Sequence, residues 1–320
     1  MVGELSTAVR RLTRRQVAAA TAAATALLVV AALSGWTLLR RDDGNTVEAY
    51  IARSSLAEQR ELRIGVFGDE PLLSYRDPAK PDSDRLEDYS GFDIEMARRL
   101  GAYLGFRPAS VKLAPTQVQN RARDLNEGLV DIVIANYSMT PERELEVDFS
   151  GPYLRTMPEV LMRAKDAPPS ITFQALGGMA GRICTTGSST SEAALNRKGI
   201  RQVDGVGQAQ ECVRGLLNGK YDAFVLDEVV LAGFRKSHPQ LALVDLVFDQ
   251  AEYYGIAVAN GNAELKTLVD NFLLDSYERG DNGAWHQAWS GTLGQVVRRQ
   301  QVQPRPVVSV KLRDYNDRRR

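Results

Sequence analysis

Two segments of the chain follow one plan and strongly limit its fold. Residues Asp124 to Asn136 read DLNEGLVDIVIAN, and residues Gly215 to Asp227 read GLLNGKYDAFVLD. Each has a leucine-containing helix end, a glycine stop, two further residues, an aspartate and an apolar strand. Ligands of open α/β sheets bind beyond the carboxyl ends of the strands. The pattern therefore predicts two similar α/β lobes, with Asn136 and Asp227 at corresponding points.

The first of these strands leads into a polar segment that contains an unexpected arginine. The apolar run delivers Asn136 and Ser138 to its carboxyl end, and Pro141 is typical of the first position of a helix. Arg143 then lies in the first helical turn, where a cation opposes the helix dipole. An anion arriving from outside would explain Arg143, and the alternative is a solvated surface arginine. A small zwitterion could bridge Arg143 in one lobe and Asp227 in the other.

A loop rich in hydroxyl groups precedes a predicted helix in the second half of the chain. The strand that ends at Cys184 is followed by TTGSST, which includes Thr186, Ser189 and Thr190. Hydroxyls and free N–H groups at a helix start suit an anion or a hydrogen-bonding side chain. The alternative is a capping loop without a ligand. The loop lacks the sequence of a Walker loop and that of a nucleophile elbow.

Several spaced motifs resemble those of the family 3 extracellular solute-binding proteins, most closely the glutamate, glutamine and aspartate binders that serve ABC importers. The resemblance runs from about Leu62 to Gly294 and implies an α/β fold of the periplasmic-binding-protein type. Two lobes joined by two hinge strands would close on one polar amino acid. The motifs are YSGFDIEMARRLG from Tyr89, ANYSMTPERELEVDFSGPY from Ala135, CTTGSSTSE from Cys184 and NGKYDAFVLDEVVLAGF from Asn218.

The resemblance also implies roles for individual residues. It places Arg143 on the α-carboxylate of the ligand, with Ser138 as the family's hydroxyl at this point. The carbonyl of Asn136 and the carboxylate of Asp227 would take the α-ammonium group. Asp227 has a structural alternative as the cap of the helix that follows it, and both roles could hold together.

Two departures from the family pattern leave the specificity for the ligand side chain open. Val118 stands where several relatives carry an aromatic residue, and Phe67 replaces a polar residue of the first loop. Glutamate, aspartate and glutamine are the expected ligands, in that order.

The cysteines and histidines limit the chemistry that is available. Cys184 and Cys212 are the only two cysteines, and an extracytoplasmic chain with two cysteines favours a disulfide between them. A zinc site would need more ligands, so no metal or other cofactor is expected. His238 and His286 are the only histidines, and neither is expected in the cleft. We therefore predict a binding protein without enzymatic activity.

The amino-terminal region contains an uncharged stretch that is long enough to cross a membrane. Residues 16–39 contain no ionisable side chain and would span roughly 36 Å as a helix. Arginines before this stretch favour a cytoplasmic amino terminus and lobes on the extracytoplasmic side of the cell membrane. A cleaved signal peptide is the alternative.

The expected organisation has seven parts. Residues 1–15 form a cytoplasmic terminus, 16–39 the membrane anchor or signal, and 40–60 a polar spacer. Residues 61–160 and 254–294 build lobe 1, residues 161–253 build lobe 2, and residues 295–320 form a mobile, arginine-rich tail.

Charge balance and composition narrow the classes of partner. Forty basic and forty acidic side chains cancel, so no overall field favours nucleic acid. The expected partners are a polar amino acid and an ABC permease. A membrane-anchored sensor with a signalling partner is an alternative, as is an enzyme that resembles the dehydratases of aromatic amino-acid biosynthesis on this fold.

Overall fold

A computed structural model describes residues 44–246, 251–297 and 301–313, and these residues contain two large mixed sheets and one small sheet. The strands are β1 Leu62–Val66, β2 Asp69–Glu70, β3 Ser74–Arg76, β4 Tyr89–Ser90, β5 Val111–Pro115, β6 Ile132–Ser138, β7 Val147–Thr156, β8 Pro158–Arg163, β9 Ser170–Ile171, β10 Ile183–Thr186, β11 Val203–Val206, β12 Ala223–Asp227, β13 Leu241–Leu246 and β14 Glu252–Ala259. The α-helices are α1 Val47–Arg53, α2 Phe92–Tyr103, α3 Arg121–Asn126, α4 Pro141–Glu144, α5 Phe173–Gly177, α6 Thr190–Arg197, α7 Ala209–Leu217, α8 Glu228–Ser237, α9 Ala263–Glu278 and α10 Ala284–Gly291.

The first lobe is built on a five-stranded sheet in the order β5-β1-β6-β14-β7. Strand β6 is central, with β1 parallel on one side and β14 antiparallel on the other. Residues 132–135 of β6 are fully buried, as expected for an apolar run covered on both faces. The polar residues of β6 follow the buried run, at the carboxyl end of the strand.

The second lobe repeats this arrangement in a six-stranded sheet with the order β11-β10-β12-β8-β13-β9. Strand β12 is central and fully buried, and it pairs in parallel with β10. The predicted disulfide between Cys184 and Cys212 is present, and it joins β10 to α7. The two lobes of the predicted clamp are therefore both present.

The chain crosses between the lobes twice. Strand β7 of the first sheet ends at Thr156, and β8 of the second sheet begins at Pro158. The chain returns between Leu246 and Glu252, and β14 then pairs with both β6 and β7. These crossings lie a few residues before the expected boundaries at 160 and 253. The reason is that β8 and β14 each begin a few residues before their most apolar part.

The segment expected to be a polar spacer is in part a packed helix. Thr46 caps α1 by accepting a hydrogen bond from the backbone N–H of Ala49 at 3.2 Å. Val47 is fully buried in the core of lobe 1, and Tyr50 and Ile51 pack against that core. Apolar residues at positions i, i+3 and i+4 form one helical face, which explains why residues 47–53 fold onto the lobe.

Part of the segment expected to be a mobile tail also packs on lobe 1. The Asn271 side chain donates to the carbonyl of Val310 at 2.8 Å and accepts from the backbone N–H of Leu312 at 2.9 Å. Leu312 is 1% exposed, and Gln303 donates to the carbonyl of Leu273 at 2.9 Å. This segment shows no periodic pattern because it is held by two buried amide side chains, Asn271 of the lobe and Gln303 of the segment, rather than by its own secondary structure.

The predicted membrane span at residues 16–39 lies outside the described residues. Among residues 44–246, 251–297 and 301–313, no helix combines the length and the apolar character that a membrane crossing requires.

Candidate functional site

A cavity between the lobes collects the polar ends of the central strands. The space between its walls, including the part that is open to solvent, is about 430 Å³. The residues that the sequence singled out all line it, and they come from both lobes: Asn136, Ser138, Arg143, Thr186, Ser189, Thr190 and Asp227.

Arg143 is held at the cavity by backbone carbonyl groups. Its Nη1 donates to the carbonyl of Ser138 at 3.0 Å, and its Nη2 donates to the carbonyl of Ser188 in lobe 2 at 3.3 Å. The guanidinium also lies over the Tyr137 ring, 5.2 Å from its centre. Burial lowers the pKa of Arg143, since the charged form is desolvated. Among the described residues, Arg143 has no ion pair within 4.0 Å, so none of these residues supplies the anion that its position calls for.

A second guanidinium, which the sequence analysis missed, lines the same cavity. Arg121 is 2% exposed and donates through Nη1 to the carbonyls of Ala135 and Asn136 at 2.9 and 3.3 Å. Its guanidinium lies 3.8 Å from the centre of the Tyr137 ring. Burial and the nearby charge of Arg143 lower the pKa of Arg121 to about 9.

The signal for Arg121 was present in the sequence. Arg121 and Leu125 are four residues apart on α3, so they share a helical face, and Leu125 is buried. An arginine on the buried face of a helix that leads into the central strand is a candidate ligand contact. Like Arg143, Arg121 has no carboxylate within 4.0 Å among the described residues.

Asp227 presents the opposite charge from lobe 2. It is 5% exposed, and its Oδ2 accepts a hydrogen bond from the Tyr254 hydroxyl. Its other oxygen, Oδ1, is buried without a hydrogen-bond partner among the described residues. Burial and the neighbouring Glu252 carboxylate raise the pKa of Asp227 well above its usual range. A buried oxygen with no donor suits a cationic group of a ligand.

The structural alternative for Asp227 does not hold. Asp227 stands at the cap position of α8, but its side chain makes no capping hydrogen bond. Its carboxylate turns instead towards the cavity and Tyr254.

The hydroxyl loop divides between capping and the cavity. Ser189 caps α6, since its Oγ accepts from the backbone N–H of Glu192 at 3.0 Å, as the capping alternative expected. Thr186 is 6% exposed, and its Oγ1 lacks a partner among the described residues. Thr190 donates to Glu252 at 2.6 Å. The loop therefore leaves the buried hydroxyl of Thr186 available to a ligand.

Asn136 connects the cavity to buried carboxyl groups. Its Nδ2 lies 3.1 Å from both carboxyl oxygens of Glu70, and its backbone N–H donates to Asp93 at 3.2 Å. Burial raises the pKa of Glu70 well above its usual range and that of Asp93 to about 7. The carbonyl of Asn136, which was expected to take an ammonium group, accepts from Arg121 and retains a second lone pair.

The two departures from the family pattern also lie on the cavity wall, next to Arg121. The Phe67 ring centre is 5.7 Å from the Arg121 guanidinium, and the carbonyl of Val118 accepts from Arg121 Nε at 3.2 Å. Lobe 1 thus surrounds Arg121 with aromatic rings and backbone carbonyls, and the guanidinium faces a mixed polar cavity. Among the described residues, no three groups are placed to hold a metal ion.

Comparison with known proteins places this geometry in a family. A model described as bacterial extracellular solute-binding proteins, family 3, matches residues 62–292. The glutamate-binding protein GluB of Corynebacterium efficiens is 26% identical over 260 residues, which cover 78% of this chain and 84% of that protein. The cyclohexadienyl dehydratase of Pseudomonas aeruginosa is 29% identical over 204 residues, covering 62% and 71% of the two chains.

A solved structure agrees with this placement. The crystal structure of the solute receptor for L-cysteine of Neisseria gonorrhoeae superposes with a TM-score of 0.66 at 26% identity. The match covers 78% of this chain and 94% of the receptor. The family match spans most of the chain and includes both lobes and the cavity between them. The chain therefore belongs to the bacterial extracellular solute-binding proteins of family 3.

Proposed function

We propose that the protein captures an acidic amino acid, glutamate before aspartate, outside the cytoplasm and delivers it to an ABC importer. The observation that carries this proposal is a pair of guanidinium groups, the buried Arg121 and the half-buried Arg143, which line one cavity without a carboxylate partner among the described residues. A buried charge is costly unless it is paired. A ligand with two carboxylates would supply both partners.

The opposite wall of the cavity accounts for the amino group. The unpaired Oδ1 of Asp227 can accept a hydrogen bond from an α-ammonium group. In this arrangement Arg143 binds the α-carboxylate through its planar fork and Arg121 binds the side-chain carboxylate. Glutamine, the third expected ligand, offers Arg121 only a neutral carbonyl, so it should bind more weakly than glutamate.

A thermal-shift screen of the twenty amino acids on the full-length protein tests the proposal. Glutamate and aspartate should give saturable stabilisation that follows mass action, about 2.7 kcal/mol at a hundredfold excess over the dissociation constant. Lysine and arginine serve as controls with the opposite side-chain charge, and they should give no shift. The proposal fails if no amino acid stabilises the protein.

Uptake is the proposed role because the glutamate-binding relative matches most of both chains. Sensing through a membrane-anchored chain is the alternative, and the anchor at residues 16–39 remains a prediction. Deletion of the gene should reduce glutamate uptake. A loss of a glutamate response with uptake unchanged would favour sensing instead.

An enzymatic role is the second candidate, since one relative is named a cyclohexadienyl dehydratase. Neither histidine of the chain lines the cavity. Its carboxyl groups include Glu70, which could serve as an acid. Incubation with prephenate, followed by measurement of the aromatic product, would separate the two roles, and we expect no turnover.

A further inference from the structure

Glu252 ties the two lobes together at the edge of the ligand cavity. It is the first residue of β14, the strand by which the chain returns to lobe 1, and it pairs with Thr156, where the first crossing begins. Its Oε2 accepts hydrogen bonds from Ser138 Oγ at 2.7 Å and from Thr190 Oγ1 at 2.6 Å. Ser138 belongs to lobe 1 and Thr190 to lobe 2, so one carboxylate oxygen bridges the cleft.

The two hydroxyls that hold Glu252 are also ligand-facing groups. Ser138 and Thr190 both line the cavity between the lobes, beside Arg143. Thr190 begins helix α6, whose amino-terminal dipole favours a negative charge. The Glu252 carboxylate therefore lies where the protein has gathered the donors suited to a carboxylate.

A hydroxyl group has one proton and can donate only one hydrogen bond of this kind. Ser138 and Thr190 therefore cannot donate to Glu252 and to a ligand carboxylate at the same time. We propose that Glu252 is a built-in competitor of the ligand, an autoinhibitory contact that occupies these hydroxyls until the carboxylate of the amino acid displaces it. The inference rests on the proposed function, because it assumes a ligand with a carboxylate at this end of the cavity.

Displacement of Glu252 would also prepare the opposite wall of the site. The Glu252 charge helps to raise the pKa of Asp227, which keeps that carboxyl group protonated to a higher pH than usual. When Glu252 leaves, Asp227 ionises more readily and can pair with the ammonium group of the ligand. Arg143 interacts electrostatically with Glu252. After Glu252 has left, the positive charge of Arg143 can pair with the incoming carboxylate instead.

Calorimetric titration of the full-length protein with L-glutamate tests the inference in three variants. Glu252→Ala frees both hydroxyls and should bind about tenfold more tightly than the parent or better, since each lost competitor bond involves a charged group. Glu252→Gln keeps an oxygen that can accept a hydrogen bond but removes the charge, so its affinity for glutamate should lie between that of the parent and that of Glu252→Ala. Glu144→Ala removes an exposed carboxylate from α4 in the same lobe and should match the parent.

A double variant tests whether the gain passes through the hydroxyls. Adding Ser138→Ala to Glu252→Ala should cancel a large part of the gain. Thermal unfolding without ligand verifies that each variant is folded. If Glu252→Ala does not fold, Glu252→Gln takes its place in the affinity comparison.

The outcomes separate this inference from the proposed function. If the parent binds glutamate and both Glu252 variants bind it with the same affinity as the parent or more weakly, Glu252 only stabilises the contact between the lobes, and the inference is overturned. If the parent does not bind but Glu252→Ala does, the inference is supported in its strongest form. If none of the twenty amino acids binds to either protein, the proposed function fails and the inference fails with it.

Discussion

Strand β6 of lobe 1 and strand β12 of lobe 2 both start beside an aspartate that binds arginine. Asp131 accepts from Arg63 Nη2 at 2.9 Å, and Asp222 accepts from Arg163 Nη2 at 2.6 Å and from Arg182 Nη2 at 2.8 Å. At the carboxyl ends the strands differ. Lobe 1 presents a guanidinium through the short helix after β6, whereas lobe 2 presents the carboxylate of the last residue of β12.

This difference separates the charges that are paired within one lobe from the charges that we propose bind the ligand. At the strand starts, each aspartate is paired within its own lobe, and the pairs are partly exposed to solvent. At the strand ends, Arg143 and Asp227 face the shared cavity, and each keeps bonding capacity that the described residues do not use. The same strand plan thus has paired charges at the strand starts and, under the proposed function, ligand-binding charges at the strand ends.

The largest expected effect is that of Arg143→Lys on affinity. Lysine keeps the charge but cannot bond both carboxylate oxygens with one planar group, so glutamate should bind about 100-fold more weakly. The affinity for glutamine should fall by the same factor, because both ligands have the α-carboxylate. Calorimetry with both amino acids measures this, and affinity equal to that of the parent would remove Arg143 from the site.

Arg121→Met should change selectivity rather than binding in general. Methionine has a similar length and no charge, so the preference for glutamate over glutamine should fall about 30-fold. Arg143→Lys, which should leave this preference unchanged, is the matched control. If Arg121→Met weakens both amino acids equally, Arg121 does not contact the ligand side chain.

Asp227→Asn should weaken glutamate by about tenfold, since the ammonium group loses a charged partner. Glutarate, which lacks the amino group, is the control ligand and should bind the variant no more weakly than it binds the parent. In the parent, affinity for glutamate should rise with pH as Asp227, whose pKa is raised, loses its proton. That rise should be reduced in the variant, and an unchanged pH profile would contradict the assignment.

Asp222→Asn should leave the affinity for glutamate unchanged and act only on stability. The neighbouring Arg182 and Arg163 lower the pKa of Asp222 in the folded protein. Its contribution to stability is therefore complete above the pKa of the unfolded chain and is lost progressively as the pH falls through the lowered pKa of the folded protein. The aspartate side chain is 26% exposed, which limits the expected loss of unfolding free energy to roughly 1 kcal/mol near neutral pH. Urea unfolding at pH 7 and at pH 3 should show a difference between parent and variant at both pH values, and the difference should be smaller at pH 3, where Asp222 of the unfolded chain is largely protonated.

The sequence revealed the strand ends because their signals are local. The polar residues after β6 and β12 follow apolar strands directly, and the disulfide follows from the count of cysteines. Arg121 was missed because its burial depends on how α3 packs against β6. Glu252 was missed because Ser138 and Thr190 reach it from distant parts of the chain.

The two terminal segments of the described region were misjudged for a related reason. The expected spacer at 40–60 and tail at 295–320 are largely polar in composition. A few buried groups nevertheless decide the position of residues 47–53 and 301–313 within them. Val47 fills the core of lobe 1, and Asn271 binds the carboxyl-terminal segment through its amide. Composition alone does not show such contacts, because the partners are supplied by a helix elsewhere in the chain.

A crystal structure of the full-length protein with L-glutamate tests the division of the ligand between the lobes most directly. We expect the α-carboxylate within hydrogen-bond distance of Arg143, the ammonium group at Oδ1 of Asp227 and the side-chain carboxylate at Arg121. Glu252 should have left Ser138 and Thr190. Glutamate bound outside this cavity, or bound inside it with its amino group away from Asp227, would contradict the account.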